Sequence, residues 1–299
     1  MRKEDWRFLS NLQKLEPPRR LKMRSKHFRK KFLSTLLIIA ILLIVFIELM
    51  PIIVVFMNSF KRDIDIWARG PFYFSFNFDS YKSVLSNRDF LLSLKNSIIV
   101  AVVSTVISII VGAMASYGIT RYVFKSKKLI AYSFLIFRMV PQISLVIPLF
   151  MMFNQLQLRD TLTGIVLSHM SFNIPYVVWL LLPFFAAIPR DYEEAARIDG
   201  ASDGGVFWRI FLPLVGPGIV VSAIFCFLMS WNEFLYALIL SSTNARTAPV
   251  AVNGLLGQYA PKWGQLSAAG TIMLIPVLII TITLQKYIIK GLSAGGIKG

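Results

Sequence analysis

The stretch Pro189–Pro213, PRDYEEAARIDGASDGGVFWRIFLP, is a polar island between two long apolar runs. Pro189 suits the first turn of a helix, where no N–H is needed. Asp191, Glu193 and Glu194 crowd the positive end of that helix, and Ala195, Ala196 and Arg197 continue it. Gly200 can end it, because glycine reaches the left-handed conformation without a Cβ penalty. Ser202 can cap a second short helix, and Pro213 marks entry into the next apolar run. The spacing predicts helix, tight turn, helix, carried on a membrane face.

The rest of the chain fits a membrane setting. Its 299 residues are 56% hydrophobic and 16% charged, unlike an ordinary soluble domain. Six apolar runs, near 32–57, 91–117, 129–153, 162–184, 214–240 and 268–290, are each long enough to cross about 30 Å of hydrocarbon as a helix. Pro51 and Pro175 fall inside two of them, where prolines often mark kinks. The expected fold is therefore an all-α membrane protein of six transmembrane helices, 32–290, with a basic arm at 1–31 and a glycine-rich tail at 291–299. The net charge of +17 invites a nucleic-acid reading, but the bases gather in the arm and in short loops, as positive-inside topology demands. The long charged region and the lack of a small-residue cleavage site argue against a signal peptide. The arm either lies on anionic lipid or only fixes topology. Placing it inside puts 118–128, with Arg121, Lys125, Lys127 and Lys128, inside too, along with the tail. It also puts 189–213 inside, where five acids outnumber three bases. An acid-rich inner loop runs against its neighbours, and a docking surface accounts for that better than topology does.

Glu194-Ala195-Ala196, three residues, Gly200, nine residues, Ile210, one residue and Leu212-Pro213 form an EAA-type loop. It resembles the loop of inner-membrane permease subunits of binding-protein-dependent ABC importers. Pro141-Gln142, Pro148-Leu149-Phe150, Phe153-Asn154-Gln155-Leu156, Trp231-Asn232-Glu233-Phe234 and the ending Gly291–Gly299 are similar to carbohydrate-uptake permeases of the maltose-importer type. The resemblance runs from about residue 30 to the end, and the long arm departs from it. It implies the type I importer permease fold, in the bacterial inner membrane with both termini cytoplasmic. It also implies half of a translocation path for a saccharide, shared with a second homologous permease. Two ATPase subunits would bind ATP and Mg, a soluble periplasmic binding protein would deliver the cargo, and this chain would hold no cofactor and do no catalysis. The helix of Glu193, Glu194, Ala195, Ala196, Arg197, Asp199, Gly200 and Ala201 would lie in a cleft on one ATPase subunit, its small residues permitting close approach. The segment Asn253, Gly254, Leu255, Leu256, Gly257, Gln258 and Tyr259 would touch the binding protein. A plain connecting loop is the other reading of that segment.

Other function classes have less behind them. A secondary transporter usually shows inverted repeats, and none is evident. A membrane enzyme would need machinery the chain lacks: there is no Gly-rich Walker loop, no HExxH and no cysteine pair, Cys226 being alone. His169 reads as a satisfied interior polar residue. Charges inside spans are functional candidates by default, and Glu48, Lys95, Arg138 and Glu233 qualify. Interfacial or intersubunit pairing is the competing reading for Glu48, Lys95 and Glu233. Arg138 lies near mid-membrane just before Pro141 and, with Asn232 and Glu233, is assigned to the translocation path. There it would favour an acidic, uronate-type saccharide; an intersubunit ion pair or a brace at Pro141 is the alternative.

Overall fold

The computed structural model describes residues 19–68, 73, 76–257 and 261–295, with side chains between 31 and 285. The expectations for residues 1–18, Gln258, Tyr259 and 296–299 lie outside these. The described chain is helical, with no strand, and divides into two units, Met1–Val55 and Phe56–Gly299. Helix α1 (Arg19–Asn58) passes through Pro51, and from Phe32 to Phe56 its apolar side chains are exposed except for half-buried Met50 and Val54.

In the second unit, α2 (Asp63–Ala68) and α3 (Asp79–Ser86) are short. The long α4 (Arg88–Arg121) and α7 (Leu162–Ala187) form the central pair. Between them run α5 (Lys127–Met139) and α6 (Gln142–Gln155). After α7 come α8 (Asp191–Ile198), α9 (Asp203–Val206), a π-helical turn (Phe207–Phe211) and α10 (Leu212–Leu214). Then follow α11 (Gly216–Trp231), α12 (Leu235–Leu240), α13 (Ala248–Gly254) and α14 (Trp263–Gly295). α11 packs on α4, α7 and α14, and α5 packs on α7.

Small residues bring these helices together, as membrane packing favours. A Cβ on Gly112 would sit 2.6 Å from Val177 Cγ1, so α4 and α7 can be this close only with glycine there. Beside it the Ser116 hydroxyl donates to the Val178 carbonyl at 3.1 Å. A polar seam completes the core: the Ser104 and Ser230 hydroxyls lie 3.0 Å apart, and Asn173 Nδ2 donates to Ser230 at 2.8 Å.

Among the described residues four helices are long and apolar enough to cross a membrane, or six if each of two bent pairs is one span. The expected run 129–153 is not one continuous helix. It is α5 and α6, bent by 94° at Val140–Pro141. Proline drives its predecessor out of the helical region, and Val140 sits at φ −68°, ψ 125°. The expected run 214–240 is also divided. The chain bends by 76° where α10 meets α11, leaving Leu214 on the loop side, and it breaks again at Asn232–Phe234 before α12.

Candidate functional site

Pro189 lies just ahead of the helix it was expected to start, and the first turn of α8 is anchored by the Arg190 carbonyl, which accepts from the Glu193 and Glu194 amides. The helix ends as its glycine demands. Gly200 sits at φ +82°, its amide donates to the Arg197 carbonyl at 3.1 Å, and the Ala201 amide donates to the Ala196 carbonyl at 2.9 Å. That pair of bonds is a Schellman motif. The Ser202 hydroxyl then accepts from the Gly205 amide at 3.3 Å and starts α9.

The turn is also locked by charge. Arg197 Nη2 lies 2.9 Å from Glu193 Oε1 and 2.8 Å from Asp203 Oδ1, so one guanidinium spans the turn from α8 to α9. The bond from Glu193, and then the charge of Asp203, raise the Arg197 pKa above its ordinary value. Glu193 and Arg197 are therefore engaged within the loop. Ala196 is buried in the chain's own core with Val206, Phe207 and Phe211, so it does not contribute to an outward small-residue surface as expected. What the loop presents outward is Tyr192, Glu194, Ala195, Ile198, Asp199, Gly200 and Trp208, with Ile198 86% exposed and Ala201 half-buried. A Cβ on Gly200 would meet nothing within 4 Å.

The root of the loop is an aromatic weld. Tyr117 of α4 packs on Phe207 and Phe211 at centroid distances of 5.1 and 5.2 Å, and Phe185 of α7 joins them. Arg121 closes it. Its Nη2 donates to the Phe185 and Ile188 carbonyls at 2.7 and 2.6 Å, and its guanidinium carbon lies 4.3 Å above the Phe211 ring. One side chain thus joins the end of α4, the end of α7 and the π-helical turn. Read as topology alone, Arg121 gave no sign of this. The only signal was its place at the head of the basic segment Arg121–Lys128, which does not reveal carbonyl partners.

At the opposite end of α7 a different device holds the chain. Asp160 sits at φ +55°, and its carboxylate accepts from the amides of Ser242, Thr243, Asn244 and Ala245 at 2.8 to 3.2 Å. Burial would raise its pKa, but those amides overcome that and hold it at about 2. Asn96 Nδ2 donates to the Asn244 and Arg246 carbonyls from α4. Beyond this clasp, α13 ends in an exposed tip: Asn253, Gly254, Leu256 and Gly257 are exposed, Leu255 is half-buried, and Gly257 has φ +64°.

The three residues assigned to a path each have their own partners. Glu233 is buried, accepts from the Tyr236 and Ala237 amides at 2.7 and 3.1 Å, and lies 3.3 Å from His169 Nε2. It caps α12 and meets the fourth span at His169, whose two ring nitrogens are buried without a hydrogen-bond partner, so His169 is not the satisfied interior polar residue expected. Asn232 is exposed and donates to its own helix at the Leu228 carbonyl. Arg138 is exposed, its guanidinium carbon 4.3 Å from the Tyr176 ring centroid. Glu48 and Lys95 are exposed as well. Among the described residues no group of three or more histidine, cysteine or acidic side chains could hold a metal ion.

With this geometry, comparison with known proteins is direct. The chain is 35% identical over 260 residues to the trehalose transport system permease protein of Mycobacterium tuberculosis, covering 86% of this chain and 95% of that one. It is 36% identical over 268 residues to the trehalose/maltose transport system permease protein of Thermococcus litoralis, covering 88% and 96%. Its fold matches a chain of a crystallised bacterial ABC transporter involved in the import of the acidic polysaccharide alginate, with a TM-score of 0.72 at 22% identity, over 87% of this chain and 97% of that chain. Residues 104–294, which hold the whole of the loop, the aromatic weld and the Asp160 clasp, match the binding-protein-dependent transport system inner membrane component family, and the chain belongs to that family.

Proposed function

We propose that this chain forms half of a saccharide path in an ABC importer, beside a second homologous permease, above two ATPase subunits and beneath a soluble binding protein. The saccharide is supported by the sugars that the relatives at 35 and 36% identity are named for. The observation that carries the mechanism is the contrast within the loop 191–212. Its inner side is welded to α4 and α7 through Tyr117, Arg121, Phe185, Phe207 and Phe211, while its outer side carries exposed Tyr192, Glu194, Ile198 and Trp208. Large exposed apolar groups on a rigid polar loop are the mark of a protein-docking surface. An ATPase that grips this face when it closes on ATP, with Mg bound in the ATPase, moves the ends of two spans with it. That is rigid-body alternating access. The loop then lies in the cytoplasm, and α13 with its tip lies on the far side, where the binding protein docks.

The test is reconstitution. The complex, co-expressed with its partner permease and ATPase subunits, goes into proteoliposomes with the binding protein and the saccharide that mass spectrometry finds retained by it. ATP-dependent uptake is expected, and its absence with every retained saccharide overturns the reading. Deleting Gly254–Gln258 should abolish stimulation of ATP hydrolysis by the loaded binding protein and leave the basal rate. Unchanged stimulation identifies that segment as a plain connection.

A further inference from the structure

The third span is broken in its middle, and Arg138 stands in the last turn before the break. It meets α7 at Tyr176, near the middle of that helix, so the guanidinium lies near half-depth. Among the described residues no carboxylate lies within ion-pair distance of it. Glu233, the buried carboxylate of the fifth span, is taken up by the Tyr236 and Ala237 amides and lies 3.3 Å from His169 Nε2.

An unpaired guanidinium at this depth costs several kcal/mol against lipid and persists where it faces protein or water. The helix break adds to the constraint. Non-helical backbone at membrane depth is tolerated only against protein or in a water-filled cavity. α6, of 14 residues, begins at this break, and the positive end of its dipole adds to the field of Arg138. The guanidinium is also held in place by the Tyr176 ring beneath it. Phe225 of α11, exposed, meets the same ring edge-on at 5.9 Å and 67°. Three spans therefore bring together a braced planar fork and an open aromatic ring. A fork of this kind meets a carboxylate with two parallel hydrogen bonds. An aromatic ring offers apolar surface to the C–H face of a sugar.

We propose that Arg138, braced on Tyr176 and flanked by Phe225, is a subsite in the translocation path for a saccharide that bears a carboxylate. This rests on the reading of the chain as half of a saccharide path. The other occupant of the same chemistry is a carboxylate of the partner permease, and the experiment separates the two.

The complex is prepared in nanodiscs with Phe225→Cys in a Cys226→Ala background, Cys226 being the single cysteine of the chain and buried. Modification of the new thiol is timed with an anionic sulfonatoethyl and a cationic trimethylammonioethyl methanethiosulfonate, which reach only wet thiols. The anionic-to-cationic rate ratio should exceed that of a small free thiol in solution, where the anionic thiolate favours the cationic reagent, and Arg138→Gln should lower the ratio about tenfold, the effect of one charge at close range in a partly hydrated site. Glucuronate, the simplest hexuronate probe, should slow the reaction while glucose does not, and Arg138→Gln should remove that protection. A thiol that neither reagent reaches, a ratio indifferent to Arg138, or equal effects of glucuronate and glucose each overturn the proposal. So does loss of the partner permease from purified Arg138→Gln complex, which assigns the guanidinium to a subunit contact. The preference and the protection are also read with Arg138 intact, so they decide even if that variant fails to assemble. Uptake by the parent complex is scored separately. If it takes up no saccharide, the importer reading fails; if it does and the thiol shows no charge preference, only this proposal fails.

Discussion

The two ends of α7 are fastened by opposite means. At the Ala187 end, side chains do the fastening: four aromatic rings interlock and Arg121 satisfies two carbonyls left open by the ending helix. At the Leu162 end, the backbone does it: one carboxylate gathers four successive amides of the 242–245 turn. The difference suits the two tasks proposed for them. Interlocked rings transmit force without changing shape, since a packed core resists compression. A ring of amides around a carboxylate fixes a turn at a polar surface, where it need not carry a load. The fifth span joins these two fastenings, and it meets the fourth between them at the Glu233–His169 contact.

The sharpest way to break this contrast is Arg121→Met. The thioether chain keeps much of the packing volume and loses the donors, so the carbonyls of buried Phe185 and half-buried Ile188 lose their partner, each at up to about 1–3 kcal/mol. If the weld transmits force, ATP hydrolysis should persist while saccharide uptake per ATP falls tenfold or more. Arg121→Lys keeps donors but loses the planar stack on Phe211, and should recover part of the ratio. A proteoliposome assay that reads uptake and phosphate release together checks it. An unchanged ratio in both variants would leave Arg121 a fastening for stability alone.

A smaller effect belongs to Gly200. Its φ of +82° excludes most side chains, at about 1–2 kcal/mol, but the space around its Cβ position is open. Two substitutions divide the causes. Gly200→Asn adds bulk to the outer face with a residue that tolerates this backbone, while Gly200→Leu adds bulk and strain. Both should weaken copurification of the ATPase if the outer face docks, with Leu the worse. If Asn copurifies as the parent does and only Leu fails, the turn matters for its shape and the outer face is free there.

What the sequence reveals about these ends follows the same division. The turn at Gly200 and the cap at Ser202 were legible because they depend on what glycine and serine do to their own backbone. The six apolar runs were legible by length, but their breaks were not: Pro141 breaks its span by 94°, whereas α7 runs on through Pro175 and Pro183. Whether a proline kinks or breaks a helix depends on neighbours that take up the freed backbone groups. Ala196 read as part of an outer surface because alanine suits both close docking and core packing; only its phase on α8, fixed by the weld, turns it inward. Arg121 and Asp160 were invisible in their roles, since their partners are carbonyls and amides that every residue possesses.

Asp160 gives the last and mildest prediction, and it tests the backbone end alone. Its carboxyl is held at about 2 against an ordinary 3.8, so the ionised form binds the turn and the protonated form does not bind it as well. A carboxyl depressed on folding contributes its stability in full above the ordinary value and loses it as pH falls through the folded one. The clasp should therefore be intact above about pH 4 and slacken toward pH 2. Asp160→Asn removes the charge at every pH and replaces one acceptor oxygen with an NH2 donor, which faces backbone amides it cannot accept from. A loss of about 1–2 kcal/mol is expected, the low end for a charge-assisted network at a partly exposed site. Hydrogen exchange at the amides of 242–245 is the direct measure, because those protons are the ones donated. Parent protein should protect them at neutral pH and Asp160→Asn should not, while amides of 207–211 at the other end of α7 exchange equally slowly in both. If the substitution also speeds exchange at 207–211, the two ends are not separate fastenings, and the contrast between a force-bearing weld and a local clasp has to be given up.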